Sequence, residues 1–261
     1  PNPNPNPNPN PNPNPNPNPN PNPNPNPNPN PNPNPNYALS LVCAELWESV
    51  GDSFAQALWL IDTELSYAVR NASTVHLHQG ATLVSQSSTQ INSPGFSTYN
   101  ILYPRDTEKY GKARALPSFT ALLFLAELLS RPNTRIKALE TPASLDGDRF
   151  ASYAVYENDR LTKLALLNMQ PLYLSSDGSS IDVNLSSIVL NDQRQVLIKR
   201  LTAPLIDEKD TNRVSWAGQS FGTGKASGKL KIEHLANNKI VRVRASEAIL
   251  IFFDTHHVFG A

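Results

Sequence analysis

The first 36 residues are eighteen Pro-Asn pairs without an exception, and this repeat excludes regular secondary structure for that part of the chain. Proline fixes its own φ angle and disfavours the α region for the residue before it, so the repeat cannot form a helix. It also lacks the N–H groups that a sheet needs and the side chains that build a core. We therefore expect residues 1–36 to be a disordered, extended tail with polyproline-II character.

The perfect regularity of the repeat points to its origin. Pro-Asn can be encoded by CCT-AAC, and this hexanucleotide in tandem is the complement of the TTAGGG array at many eukaryotic chromosome ends. We interpret residues 1–36 as translated simple-sequence DNA, read from a telomeric array into the gene beside it. A Pro-Asn spacer with a function of its own is the alternative, and mixed codons across the repeat would favour it.

Charge and hydropathy restrict the partners of the remaining chain. Its 22 basic and 22 acidic residues balance, which argues against nucleic acid as a partner, because phosphate binding needs a clustered basic face. Basic residues are dense only at 225–231 and 239–244, and we favour solvated faces over binding patches for both. No apolar run reaches about 18 residues, so we expect no membrane span, and the N-terminus lacks a signal-peptide pattern.

Neither a metal nor a cofactor is expected. The single cysteine, Cys43, excludes an internal disulfide and a cysteine zinc site, and we expect it to be inert. His256 and His257 stand in the last residues, where fraying is the simpler interpretation. The stretch "GQSFGTGKASG" has a spacing that is wrong by one for a phosphate loop, and Ala226 replaces the Ser or Thr, so it predicts a hairpin loop.

Residues 37–135 have the pattern of α/β alternation. A helix capped by Asp52 is predicted by the apolar stripe of Phe54, Leu58, Ile61 and Leu65, and Arg70 and Asn71 end it. The run "STVHLHQGATL" predicts a strand ending at Gly80, followed by a polar loop over residues 85–112. The segment "SFTALLFLAELLS" after Pro117 is apolar nearly all round and predicts a buried helix. The strand needs parallel neighbours, which we expect this chain not to supply.

Residues 136–256 have the pattern of an antiparallel β-sandwich. From residue 134 onward, eight short alternating runs are separated by Asn-Asp, Asp-Gly and Asn-Asn turn signals. The last run, "KIVRVRASEAILIFFD", is interpreted as one strand. Residues 157–159 and 237–238 are predicted hairpin tips. The predicted fold class is an α/β remnant followed by an all-β sandwich.

Two histidines are the strongest candidates for ligand contact. His76 and His78 share one face of the predicted strand, near the carboxyl end, where parallel α/β folds bind ligands. A substrate or structural hydrogen bond is favoured over metal binding, because no Asp, Glu or Cys nearby completes a metal site. Glu45 and Glu48 lie on one helical turn, so we expect a solvated helix start rather than a catalytic pair.

Other polar residues carry weaker signals. Asp62 and Glu64 are expected on the polar face of the first helix. Asn71 and Asn184 begin Asn-x-Ser sequons, which are glycosylation candidates in a secreted protein.

Taken together, "GDSFAQALWLIDTELSYA", "VHLHQG", "SFTALLFLAELL" and the closing "RLTAP", "VSWAGQSF" and "VRASEAILIFF" resemble glycoside hydrolase family 79. This family includes β-glucuronidases and heparanase, and the resemblance covers nearly all of residues 45–254. It implies a (β/α)8 barrel followed by a β-sandwich, with residues 37–135 as the end of the barrel and 136–256 as the sandwich. The helix from Asp52 becomes the seventh barrel helix, "TVHLHQG" the eighth strand and the helix from Ser118 the eighth helix.

The resemblance also implies retaining hydrolysis by two glutamates. The nucleophile is expected in a Gly-Glu-Thr-Asn-like motif around residues 37–43, but these read "YALSLVC" without a glutamate. The region of the acid/base glutamate is absent as well. We therefore expect no catalytic residue in this chain, which is then an inactive fragment of a β-glucuronidase-like enzyme.

The resemblance further implies one wall of a sugar site. His76 or His78 is expected to contact the glycone, and Gln79 and Gly80 to shape the loop. Tyr99 or Tyr103 is expected to hold the uronate carboxylate. The implied partner is a glucuronide-type glycan, with neither nucleic acid nor membrane, and the implied location is extracellular.

A non-enzymatic module is the alternative function. It would be a carbohydrate-binding or interaction sandwich on a Pro-Asn spacer, and it requires exposed aromatic side chains. The sequence offers four: Tyr153, Tyr156, Tyr173 and Trp216.

Overall fold

Two helices and thirteen strands make up the described part of the chain, which is mostly β. The computed structural model describes residues 38–41, 50–77, 100–103, 106, 111–142, 144–145, 147, 149–174, 179–189 and 195–253. The Pro-Asn repeat lies outside these residues. The helices are α1 (Phe54–Val69) and α2 (Pro117–Leu128). The strands are β1 (Ala38–Leu41), β2 (Thr74–Leu77), β3 (Leu102–Tyr103), β4 (Arg114–Ala115), β5 (Thr134–Ala138), β6 (Phe150–Glu157), β7 (Arg160–Asn168), β8 (Ser180–Asn184), β9 (Leu197–Thr202), β10 (Ser215–Trp216), β11 (Glu233–His234), β12 (Ile240–Arg244) and β13 (Glu247–Phe252).

Helix α1 follows its predicted apolar stripe but not its predicted cap. The stripe residues are buried, and Asn71, with φ 63°, ends the helix as predicted. The N-cap residue is Ser53 rather than Asp52, and it makes no side-chain cap. The N–H groups of Phe54 and Ala55 instead donate to backbone carbonyl groups from the β-rich part of the chain. A capping carboxylate is therefore not required, and Asp52 lies 2.9 Å from the ammonium of Lys209.

The expectation that β2 lacks a parallel neighbour in this chain is wrong for one of its edges. Strand β1 pairs with it in parallel, with Ala38 opposite Thr74 and Leu41 opposite Leu77. The sequence did not indicate β1, because "ALSL" is short and directly follows the repeat. Strand β1, helix α1 and strand β2 thus form one βαβ unit.

The main sheet has seven strands and lies between two layers. Its order is β10-β9-β13-β7-β6-β5, with β11 also paired to β9, and all of its pairs are antiparallel. Helices α1 and α2 pack on one face, and the small β8–β12 sheet packs on the other. Along β7, Ala165 and Leu167 face the helices, whereas Leu164 and Leu166 face the small sheet. Burial of both faces explains why the central strands are largely apolar.

One predicted hairpin is confirmed, another is wrong, and the last predicted strand is two strands. Asn158 and Asp159, with φ 51° and 63°, form the turn between β6 and β7 as predicted. The turn at residues 237–238 joins β11 and β12, which lie in different sheets, so it is not a hairpin tip. The last apolar run is two strands, β12 and β13, separated at Ser246, where φ is 54°. The first half, β12, alternates between buried and exposed residues and belongs to the small sheet, whereas β13 is buried throughout and belongs to the main sheet.

The second basic run has the predicted solvated face. Arg242 and Arg244 on β12 are exposed, whereas Val241 and Val243 between them are buried against the main sheet. Arg242 forms an ion pair with Asp182 on the neighbouring strand at 2.8 Å. This run is therefore a strand with one solvated, charged face, on which Arg242 is paired.

Buried polar groups attach both helices to the main sheet. Lys199 and Lys163, on two of its strands, reach Glu127 and the carbonyl of Leu128 at the end of α2. The hydroxyl of Tyr153 on β6 donates to the Asp62 carboxylate on α1 at 2.7 Å. Because these contacts are desolvated, they restrict how the helices lie on the sheet.

Candidate functional site

The carboxyl ends of β1 and β2 lie side by side, as the sugar-site hypothesis requires. His76 stands opposite Ser40 in the parallel register and is exposed, whereas the next residue, Leu77, packs into the core. Side chains alternate along a strand, so His76 lies on the face opposite the core. His78, Gln79 and Gly80 lie outside the described residues.

Tyr103 is ordered by a short antiparallel pair. It lies on β3 opposite Arg114 of β4, and the Arg114 guanidinium carbon is 4.7 Å from the centroid of its ring. This is the geometry of a cation–π contact, which favours this position of the Tyr103 ring. Tyr99, the other candidate for a uronate contact, lies outside the described residues.

The end of the β2–α2 connection is held by further contacts. The Asp106 carboxylate accepts from the Lys112 ammonium at 2.6 Å and from the Ala113 N–H at 2.9 Å. The hydrogen bond from Lys112 is the main reason why the pKa of Asp106 is lowered. Both side chains are well exposed, so this pair contributes little to the stability of the fold.

Residues from the main-sheet part of the chain bind Ala115, which lies two residues before α2. The Ala115 N–H donates to the carbonyl of Gly222 at 3.0 Å, and the Thr211 hydroxyl donates to the Ala115 carbonyl at 2.8 Å. Sequence reasoning missed Thr211, Gly222 and Arg114. Thr211 and Ala115 are 96 positions apart, and no local pattern indicates such a contact.

The acidic residues of α1 are less solvated than predicted. Asp62 accepts the Tyr153 hydroxyl, and Glu64 is half-buried, so that burial raises the pKa of its carboxyl. Glu45, Glu48 and Cys43 lie outside the described residues, as do His256 and His257.

The two sequons lie on accessible side chains. Asn71 is exposed just beyond the end of α1. Asn184 is exposed at the end of β8, where its side-chain oxygen accepts the Ser186 N–H at 2.8 Å. Both asparagines are therefore open to modification in a compartment where glycosylation occurs.

Two of the four aromatic candidates for a sandwich binding face are buried. Tyr153 and Trp216 lie in the core, with the Trp216 ring 5.2 Å from that of Phe124. Tyr156 is half-buried beside the Arg135 guanidinium. Tyr173 remains, with 63% of its surface exposed.

Metal and membrane sites find no support among the described residues. No group of three or more His, Cys, Asp or Glu side chains in that part of the chain is arranged to hold a metal ion. None of the described helices is long and apolar enough to cross a membrane.

Comparison with known proteins finds similarity to one family of glycoside hydrolases. Residues 152–250 match the family model for the glycosyl hydrolase family 79 C-terminal beta domain. A curated beta-glucuronidase from Aspergillus niger is 23% identical over 206 residues, which are 74% of this chain and 34% of that protein. The crystal structure of a 4-O-alpha-L-rhamnosyl-beta-D-glucuronidase from Fusarium oxysporum matches with a TM-score of 0.60 at 20% identity, covering 82% of this chain and 42% of that one.

These proteins extend well beyond the part that matches. The chain spans only 34% of the length of the curated relative, and the solved structure agrees at the level of the fold. The resemblance to the C-terminal part of glycoside hydrolase family 79 is thereby confirmed, with residues 152–250 similar to the family's C-terminal β domain.

Proposed function

We propose that this chain is the C-terminal part of a β-glucuronidase-like glycoside hydrolase. Residues 37–135 are then the last βα units of a (β/α)8 barrel, and residues 136–256 are the β-sandwich behind them. The observation that carries this proposal is the parallel β1–β2 pair joined through α1 and followed by α2, with both helices packed on the family 79 β domain. Successive parallel strands joined through helices are the repeating unit of such barrels.

The described chain supplies a wall of the sugar site but no nucleophile. Strand β1 takes the place of the seventh barrel strand, and residues 37–43 contain no glutamate. Retaining hydrolysis needs two carboxylates about 5 Å apart on opposite sides of the glycosidic bond. We infer that this chain binds sugar without hydrolysing it.

The proposed sugar contacts are on the β2 edge and the loop that follows it. His76 and His78 contact the glycone, with Gln79 and Gly80 shaping the loop. Tyr103 or Tyr99 holds the uronate carboxylate. The exposure of His76 and the stacking of Arg114 on Tyr103 support this assignment. The proposed ligand is a glucuronide-type glycan, and the proposed location of the protein is extracellular.

A pair of histidine variants tests the sugar contact. We expect D-glucuronate to shift the His76 ring resonances in NMR spectra, and His76→Ala to weaken binding several-fold. His234→Ala is the matched control, because His234 is also exposed on a strand, β11, that does not belong to the β1–β2 pair. Equal weakening by the two variants would overturn the assignment of His76.

An assay of turnover tests the inactivity. With 4-nitrophenyl β-D-glucuronide and a high concentration of the chain, we expect no hydrolysis above the spontaneous rate. Turnover that follows the chain through purification would overturn the proposal, because it would require catalytic carboxylates elsewhere in the chain.

The alternative, a carbohydrate-binding or interaction module on a Pro-Asn spacer, rests on Tyr173. Its ring is 63% exposed, and the neighbouring Leu174 is 61% exposed, which is the character of a small contact surface. Tyr173→Ala distinguishes the two functions. Loss of glycan binding in this variant, with His76→Ala unaffected, would favour the module.

A further inference from the structure

A segment of the β-rich part, residues 205–231, contacts the amino-terminal ends of both helices. At α1, the carbonyl groups of Glu208 and Ile206 accept the N–H groups of Phe54 and Ala55, each at 2.8 Å. These are the first free N–H groups of the helix, which otherwise need a cap. The segment therefore supplies the hydrogen-bond acceptors that cap the start of α1.

The same segment contacts the start of α2. Gly222 and Thr211 satisfy both backbone groups of Ala115, and the ring of Phe221 lies 6.5 Å from that of Phe119. In barrels of βα units, the helices begin on the side where the strands end, which is also the side of the active site. The segment thus borders the side of the proposed sugar site.

Residues 218–231 of this segment form a loop with an excess of positive charge. It carries Lys225, Lys229 and Lys231, all exposed, and no acidic residue occurs between Ser215 and Ile232. None of the three lysines forms an ion pair with another described residue, whereas Lys209, earlier in the segment, is paired with Asp52. Since the whole chain has a formal net charge of zero, this excess is local.

The loop is held in place by its own backbone. Ser220 and Ser227 exchange two hydrogen bonds of 2.9 Å, and the Gly224 N–H donates to the carbonyl of Phe221 at 2.8 Å. Lys225 follows Gly222 by three residues, so their Cα atoms are at most about 11 Å apart. The Lys225 backbone therefore lies within about 11 Å of the contact between Gly222 and Ala115.

In place of the solvated face expected from the sequence at residues 225–231, we propose that residues 218–231 form an outer subsite that binds the carboxylates of an acidic oligosaccharide extending from the sugar site. Ammonium groups bind carboxylates through charge-assisted hydrogen bonds, and lysine accepts many geometries along a flexible chain. The identity of the ligand as a uronate-bearing glycan rests on the proposed function. The location of the subsite rests on the contacts of residues 205–222.

Titration with two tetrasaccharides tests the subsite. The probes are a hyaluronan tetrasaccharide, which carries uronates, and a chitin tetrasaccharide, which is neutral. We expect the intact chain to bind the first, with NMR shifts of the amides at residues 218–231, and to bind the second at least fivefold more weakly. The affinity for the acidic probe falls as salt is raised, because exposed charges are screened.

Single-charge variants locate the binding. Lys225→Gln is expected to weaken hyaluronan binding about two- to fivefold, in the range of an exposed ionic contact. Lys137→Gln, exposed on β5, is the matched control and should change the affinity less than twofold. Equal weakening by both variants would mean diffuse charge attraction and overturn the subsite. Equal affinity for both tetrasaccharides, or no binding of either, would also overturn it.

The test separates this inference from the proposed function. Hyaluronan shifts at residues 218–231 without any effect of D-glucuronate on His76 would contradict the sugar site while supporting a glycan-binding loop. An effect on His76 without loop shifts would support the sugar site and overturn the subsite.

Discussion

The ammonium of Lys199 lies 2.6 Å from the carboxylate of Glu127, and the two side chains are only 2% and 5% exposed. Lys199 belongs to β9 and Glu127 to α2, so this pair joins the main sheet to a helix. The Lys199 ammonium is also 6.0 Å from the centroid of the Phe252 ring. A buried charge keeps its place only while its partner is present.

We expect Lys199→Met or Glu127→Leu alone to lower the free energy of unfolding by about 3–5 kcal/mol, because each removes the oppositely charged partner of a buried group. Changing both residues, to Met and Leu, should recover most of this loss, because an apolar pair carries no uncompensated charge. Urea unfolding of the four proteins measures the coupling. Additive losses in the double variant would contradict the expectation.

The exposed pair of Arg242 and Asp182 is the control for buried charge. It has a similar distance, 2.8 Å, but both side chains lie largely in solvent. We expect its removal to change the unfolding midpoint far less than either change at the buried pair. A comparable loss would mean that burial is not what makes the Lys199 contact important.

The Lys163 ammonium makes three hydrogen bonds, two at the end of α2 and one to β6. It reaches the Leu128 carbonyl at 3.0 Å, the Ser130 hydroxyl at 2.9 Å and the Glu157 carboxylate at 2.9 Å. We expect Lys163→Met to free the last turn of the helix, so that amides at 125–130 exchange faster than global unfolding alone predicts. Lys137→Met, at an exposed position, should leave this exchange unchanged.

Local patterns predicted the elements better than their assembly. The stripe of α1, the burial of α2 and the turn at Asn158 all follow from spacing or backbone preference over a few residues. The Asp52 cap was wrong because carbonyl groups from about 150 positions away occupy the N–H groups it would have bound. The division of the last run into β12 and β13 depends on which layer each half joins.

The candidate site was predictable only where residues carry a family motif. His76 was identified from its strand pattern and the resemblance, and its exposure agrees with a contact role. Arg114, Thr211 and Gly222 could not be identified, because each acts through a partner that is distant in sequence or has no side-chain signature. The backbone contact of Gly222 in particular leaves no trace in residue type.

Glu64 offers a prediction about pH. It is half-buried on α1, forms no ion pair with another described residue, and has a pKa raised by burial. A carboxyl with a raised folded-state pKa stabilises the protein below its unfolded-state pKa of about 4.3, and this stabilisation is lost as the pH rises through the folded-state value. Glu64→Gln should therefore be more stable than the parent at pH 7, with the difference shrinking toward pH 3.

Urea midpoints at the two pH values measure this difference. Glu140→Gln is the control, because Glu140 is exposed and should show no comparable change. A Glu64→Gln variant that is equally destabilised at both pH values would mean that the carboxyl makes a favourable contact instead.

A side chain at Gly222 is predicted to require the Asn212 side chain to shift. A methyl group there would lie 2.8 Å from the Asn212 side-chain carbon, and Asn212 is itself bonded to Asp210 at 3.0 Å. We expect Gly222→Ala to cost about 1–3 kcal/mol of unfolding free energy through overpacking. Adding Asn212→Ala should recover most of it, and no recovery would mean that the backbone rather than the side chain is the obstacle.

Tyr153 provides the last prediction, at alkaline pH. Its ring is buried against α1, and burial, followed by the hydrogen bond to Asp62, raises the pKa of its hydroxyl well above the usual value near 10. The unfolded chain therefore loses this proton first, and folding stability falls above pH 10 by up to about 1.4 kcal/mol per pH unit for this group. Tyr153→Phe should be less stable than the parent at pH 8 by about 1–3 kcal/mol, because it loses the hydrogen bond to Asp62. Because the variant also lacks the ionisable hydroxyl, its stability does not fall with pH in this way, and the gap to the parent should narrow toward pH 11. A gap that stays constant between these pH values, measured by urea unfolding, would show that the hydroxyl ionises equally well in both states.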